Sequence, residues 1–323
     1  MKTSFIHSVD ARTNLAGANQ LEVLLFTLGK DSATGREEVF GINVFKVREV
    51  MHLPPITHAP DMPPSVEGMV SVRNSMMPVI NLQKFCNVQT ETPPSIMIVT
   101  EYNKHIQGFL VDSVETIQRL AWAEVKTPPP MLTHRLGGLV TAVTELRDGR
   151  LVMIMDVEKI LADTAEFYQD NGLDELEQIS SDEQLRVIFA DDSSVARDQV
   201  KATLEQLGIE AISANNGAEA WTKLRKLADD ATAQDRPITD FVQLVITDVE
   251  MPEMDGYVLT RKIKEDPRLM SLPVVMHSSL SANANQLLGK GVGADAYVPK
   301  FEPKELAEAV IDLLERRTAP LPA

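Results

Sequence analysis

The chain has 323 residues, 44% of them hydrophobic and 24% charged, and carries a formal charge of −16. Its length suggests about two domains, and its balance of residues is that of a soluble globular protein. So acidic a chain lacks the concentrated basic face that a phosphate backbone requires, so nucleic acid is not an expected partner.

The opening MKTSFIHSVDARTNLAG offers no apolar core of signal-peptide length. No run approaches the ~20 apolar residues of a membrane span. A cytoplasmic protein without direct membrane insertion is expected. Extended segments are predicted over 21–28, 39–42, 69–72, 77–81, 96–100, 106–114, 139–145 and 151–156. Asp148-Gly149 is a two-residue hairpin signal between the last two. Proline-rich turns at Pro54-Pro55, Pro63-Pro64, Pro93-Pro94 and 128–130 separate the others, a pattern of small barrels or a sandwich. A helix over 157–161 closes this all-β half. Its histidines, His52, His58, His105 and His134, have no ligand spacing. Cys86 is the sole cysteine, which excludes an internal disulfide and reads as a small core residue.

A seam follows over 163–184, with eight acidic residues and no basic one. Such a stretch self-repels and suits an acidic linker, here taken as 164–184. Leu173, Leu176 and Ile179 recur three apart, so a short docked helix and a loose tether both remain open. Beyond it, strands predicted over 186–189, 211–214, 242–247, 274–277 and 296–298 alternate with helices. The helices are predicted over 194–207, 218–227, 256–264, 284–290 and 303–316. Five such βα units make a doubly wound sheet with helices on both faces. The polar stretch 229–240 is expected to be a surface excursion.

Four of these strands end on groups that carry chemistry. RVIFADD delivers Asp191 and Asp192, QLVITD delivers Asp248, PVVMHS delivers Ser278, and DAYVPK delivers Lys300. Ligands of open parallel sheets bind beyond the carboxyl ends of the strands, so these groups converge on one site. Clustered carboxylates repel one another unless a divalent cation sits among them, and an all-oxygen donor set suits Mg²⁺. Taken singly, each group has a plain structural reading. Asp192 or Ser193 caps a helix, Lys300 is a solvated charge, and Asp255-Gly256 is a turn.

Together, FADDS, ITDVEMPEMDGY, PVVMHSS and YVPK resemble the response-regulator receiver domain over 185–317. The resemblance implies a flavodoxin-like fold with Asp248 as phosphoacceptor. It implies Mg²⁺ held by Asp191, Asp192, Asp248 and the main-chain carbonyl of Glu250. Ser278 and Lys300 would contact the phosphoryl group, and Tyr297 would be the switch aromatic. Two positions mark departures or local tuning: Phe301 stands where the family usually has proline, and Leu280 is expected to shield an aspartyl phosphate from water.

The first half resembles the CheW-like coupling domain over 19–163. The carriers are FGINVFKVREVMHLPPITHAPDMPPSVEGMVSVRNSMMPVINLQKF, QGFLVDSVETI and LGGLVTAVTELRDGRLVMIMDVEKIL. The family's Asn-Leu-Arg-Gly is here Ser71-Val72-Arg73-Asn74, keeping the arginine but not the glycine. The resemblance implies a double SH3-like barrel that binds methyl-accepting chemoreceptors and the histidine kinase CheA. Val47, Glu49 and Arg73 are the candidate contact residues, with core packing for Val47 and a Glu49–Arg73 pair as plain alternatives. A coupling domain followed by a receiver is similar in order to the CheV family. The expected function is a chemotaxis scaffold, recruited to membrane-associated receptor arrays, whose phosphorylation modulates coupling and adaptation. It is not expected to be an enzyme. The alternative is a phosphate sink that drains the kinase without altering coupling. A transcriptional regulator is disfavoured, since TAPLPA after Arg317 gives no helix-turn-helix.

Overall fold

A computed structural model describes residues 20–58, 60, 62–102, 105–135, 137–164, 176, 178–179, 184–278, 289–300 and 302–318. The chain divides into two compact units, Met1–Glu166 and Phe167–Ala323.

The first unit contains β1 (Gln20–Thr27), β2 (Val39–Asn43), β3 (Val47–His52), β4 (Val66–Val72) and β5 (Ser75–Asn81). It continues with β6 (Ile96–Tyr102), β7 (His105–Val111), β8 (Ser113–Ala121), β9 (Val140–Glu145), β10 (Leu151–Met155) and helix α1 (Val157–Thr164). These strands form two five-stranded sheets, β8-β1-β2-β10-β9 and β3-β6-β7-β5-β4. Isolated bridges link the edges of each sheet. Lys126, downstream of β8, pairs with Val143 in β9, and Thr57, downstream of β3, pairs with Met69 in β4. Two small barrels result, each around its own apolar cluster. Leu21, Val23, Leu25, Leu120 and Val152 fill the first. Val70, Val79, Met97, Val99 and Leu110 fill the second. Gly68 permits the second closure: at φ 142°, a Cβ there would stand 2.4 Å from the Thr57 carbonyl oxygen.

Two strands differ from expectation. β3 was not predicted, because VREVMH alternates half-buried with exposed residues and offers little apolar signal. The predicted 106–114 strand is two strands. The Asp112 N–H bonds to the Thr27 carbonyl, and there the chain leaves the second sheet for the first.

The second unit comprises β11 (Arg186–Ala190), α2 (Ser194–Gln206), β12 (Glu210–Ala214), α3 (Gly217–Ala233) and β13 (Leu244–Thr247). It continues with α4 (Gly256–Glu265), β14 (Val274–Ser278), β15 (Ala296–Pro299) and α5 (Pro303–Thr318). Its sheet, β12-β11-β13-β14-β15, is parallel throughout. Alternate strand residues feed two cores, as expected for a sheet covered on both faces. Ile188, Val245 and Val274 pack with Leu224 of α3 and Leu259 of α4. Val187, Ile246 and Val275 pack with Leu204 of α2 and Val310 of α5.

The expected excursion after Leu227 is shorter than its polarity suggested. Ala228 and Ala231 continue the buried stripe of α3, and helix-favouring alanines carry it to Ala233. Within the acidic seam, Leu176 and Ile179 pack against the second core, and the Ile179 N–H donates to the Leu207 carbonyl. Leu173, Leu280, Phe301 and most of the predicted 284–290 helix lie outside the described residues.

Candidate functional site

The site forms where β11, β13, β14 and β15 end. Ala190 and Thr247 are paired across β11 and β13, so the residues that follow them, Asp191 and Asp248, emerge side by side. The Asp248 N–H donates to the Ala190 carbonyl at 2.8 Å, extending the pairing by one residue. Likewise the Lys300 N–H donates to the Ser278 carbonyl at 3.0 Å, setting Lys300 beside the end of β14.

Lys300 is only 2% exposed, and its Nζ lies 2.7 Å from Asp191 Oδ2 and 2.9 Å from Asp248 Oδ2. A lysine is seldom buried this completely unless paired. Two carboxylates on one ammonium meet that condition. Backbone donors hold the other oxygens: the Val249 N–H reaches Asp248 Oδ1 at 2.6 Å, and the Ser193 N–H reaches Asp191 Oδ1 at 3.0 Å. Ser193 also caps α2, its hydroxyl accepting from the Ala196 N–H. Gly256 lets α4 start directly against Asp248, for a Cβ there would stand 2.1 Å from the Asp248 carbonyl oxygen.

Asp191, Asp192 and Asp248 each present an oxygen within 4.8 Å of the others. Three carboxylates against one ammonium leave the pocket with excess negative charge. Half-buried Asp192 borders it. Hard oxygen donors gathered within a few ångströms of one another fit a small divalent cation, Mg²⁺ above all. Ser278 is buried, and its side chain hydrogen-bonds that of Tyr297. Burial, joined by the charges of Asp248 and Glu250, pushes the Tyr297 phenol up to about 12 despite that bond. Tyr257, the second residue of α4, is buried nearby, and burial also pushes its phenol above its ordinary value.

The structure thus brings together Asp191, Asp192, Asp248 and Lys300, and pairs Ser278 with Tyr297. Glu250 follows two residues after Asp248 and is half-buried. Sequence reasoning missed Arg197 on α2. Its Nη1 donates to the main-chain carbonyls of Asp191 at 2.9 Å and of Asp192 at 3.0 Å. No motif marked it, because an arginine one turn into a helix reads as solvated.

In the first unit, Glu49 and Arg73 form an ion pair at 2.9 Å that ties β3 to the β4–β5 turn, with Arg73 69% exposed. Arg73 and Asn74 have φ of 48° and 67°, the two left-handed positions of a tight hairpin turn. Asparagine tolerates this conformation, which accounts for its standing in place of glycine. Val47 is half-buried opposite Thr100. Burial pushes the Cys86 thiol up to about 12, consistent with an inert side chain.

Comparison with known proteins assigns both units. Residues 22–165 match the CheW-like domain, and residues 187–311 match the response regulator receiver domain. The chain is 29% identical to chemotaxis protein CheV3 of Helicobacter pylori over 309 residues, covering 92% of this chain and 96% of that one. It is 28% identical to CheV1 of the same organism, covering 95% and 97%. The receiver alone is 33% identical to the chemotaxis protein CheY1 of that organism over 126 residues, covering 38% of this chain and 92% of that one. A CheW-like domain followed by a receiver defines a two-domain signalling architecture. The chain belongs to the CheV-like chemotaxis coupling proteins. Among the described residues, no helix is long and apolar enough to cross a membrane.

Proposed function

We propose that the CheW-like domain couples chemoreceptors to the histidine kinase CheA at the cytoplasmic face of receptor arrays. Its receiver then takes a phosphoryl group from the kinase onto Asp248, which adjusts that coupling during adaptation. The supporting observation is the buried Lys300 ammonium set between Asp191 and Asp248. Such a cation favours arriving negative charge at one acceptor oxygen.

In the transfer, an Asp248 carboxylate oxygen attacks phosphorus as the bond to the phosphohistidine nitrogen breaks, and that nitrogen keeps the electron pair. Asp191, Asp192, Asp248 and the Glu250 main-chain carbonyl would hold Mg²⁺. Bound there, the ion supplies positive charge to the phosphoryl oxygens. Lys300 supplies charge from inside the pocket. The Ser278 hydroxyl donates to a phosphoryl oxygen, and Tyr297, its partner, follows it. This converts a local charge event into a change at the surface near β15. Val47, Glu49 and the exposed Arg73 lie on the proposed receptor or kinase face. The protein turns over no second substrate in this reading.

Incubation with phosphorylated CheA and Mg²⁺ tests the reading. Label should move to the native protein and not to Asp248→Ala, and its absence from the native protein would overturn phosphoacceptance. Receptor-stimulated kinase activity with and without beryllofluoride separates switch from sink. A change in the native protein that is lost in Asp248→Ala supports the switch, whereas no change while the kinase is still drained favours the sink.

A further inference from the structure

We propose that Arg197 is a positioning residue for the Mg²⁺ site, an inference that rests on the receiver reading above. The two carbonyls that Arg197 Nη1 engages belong to the peptide groups on either side of the Asp192 Cα. Fixing both planes fixes the direction in which the Asp192 Cα–Cβ bond leaves the backbone. Asp191 has its own restraints, with the Ser193 N–H on one oxygen and Lys300 on the other. Arg197 provides the corresponding restraint for Asp192 through the backbone, leaving the Asp192 carboxylate to face the pocket.

The placement is unusual for a helix. Arg197 lies just past the first turn of α2, near the positive end of the helix dipole, where acids are preferred; this first turn has no acidic residue. A cation there opposes the dipole and needs another reason to be present. The carbonyls lie past the last paired residue of β11, Ala190, and the guanidinium donates to them where the sheet ladder has ended. Because the cation sits on carbonyl oxygens and not on the carboxylates, it holds the loop without occupying metal-binding atoms.

Charge and position predict opposite effects, which makes the role testable. If Arg197 acted only as a nearby positive charge, its removal would tighten Mg²⁺ binding. If it positions Asp192, its removal weakens binding. Groups that orient metal ligands typically account for 10–100-fold in affinity.

The test is calorimetric titration of the full chain with Mg²⁺, comparing native protein, Arg197→Gln and Arg197→Lys. Native protein should bind, Arg197→Gln should bind about tenfold more weakly, and Arg197→Lys should fall between them. Phosphoryl transfer to Arg197→Gln should be slow at low Mg²⁺ and recover at high Mg²⁺. Unchanged or tighter binding by Arg197→Gln, with native binding intact, would overturn the positioning role alone. Absence of Mg²⁺ binding by the native protein would overturn the site reading and the inference with it. Should Arg197→Gln fail to fold, native-like affinity in Arg197→Lys would overturn the role, because its shorter reach should leave the loop less well held.

Discussion

Lys300 shows how strongly one side chain can depend on its neighbours. Its ammonium is buried against two carboxylates, so removing it leaves Asp191 and Asp248 facing each other without their shared cation. Lys300→Met should cost roughly 3–5 kcal/mol in urea unfolding without metal. Excess Mg²⁺ should recover part of that loss by supplying charge to the same oxygens. A loss indifferent to Mg²⁺ would mean that packing, not charge, sets the role of Lys300. The tyrosines give a pH test at this scale. A phenol held above its unfolded value contributes stability that is complete below the ordinary value of 10.0 and is lost as pH rises through about 12. In spectrophotometric titration of the native protein, the phenolates of Tyr257 and Tyr297 should therefore appear only above the ordinary range. Replacing Tyr297 with phenylalanine should remove one late-titrating step.

Helix starts carry much of the local logic at the scale of elements. Asn216 caps α3 by accepting from the Glu219 N–H at 2.8 Å, while Glu219 Oε2 accepts from the Asn215 N–H. Asn216→Ala should cost about 1 kcal/mol of receiver stability, measured by thermal or denaturant unfolding, while Asn216→Ser should cost less. The Asn216 cap was not singled out in the sequence, whereas the Ser193 cap was legible, since DDSSV places a cap residue before the helix. The strands of the barrels were less so. β3 alternates too weakly to signal itself, and the β7–β8 break depends on a bond from Asp112 to Thr27, more than eighty positions earlier in the chain. Local propensity is silent about such a partner. The end of α3 was misjudged for a related reason. Its polar residues face solvent, while Ala228 and Ala231 bury the face that sustains the helix.

Across the whole molecule, each unit has its own apolar clusters, so two unfolding transitions are expected in calorimetry. A ligand that binds only the folded receiver should raise one transition and leave the other in place. At a free Mg²⁺ concentration a hundred times its Kd, the gain is about 2.7 kcal/mol. Equal shifts in both transitions would contradict separate folding units. Leu176 and Ile179 packing on the receiver core also predicts that a receiver fragment beginning at 185 is less stable than one beginning at 176.

The order of strand-end groups was fixed by the sequence alone, because a parallel sheet presents its carboxyl ends at one edge whatever the details of packing. Asp191, Asp192, Asp248, Ser278 and Lys300 were therefore expected together at one edge of the sheet, and the structure gathers Asp191, Asp192, Asp248 and Lys300 there. Only the tertiary structure showed that Lys300 is wholly buried on two carboxylates, that Arg197 holds the carbonyls flanking Asp192, and that single bridges close the barrels. Each of these depends on distances between segments far apart in the chain. Such distances are set by core packing and sheet register, which no local pattern of residues encodes.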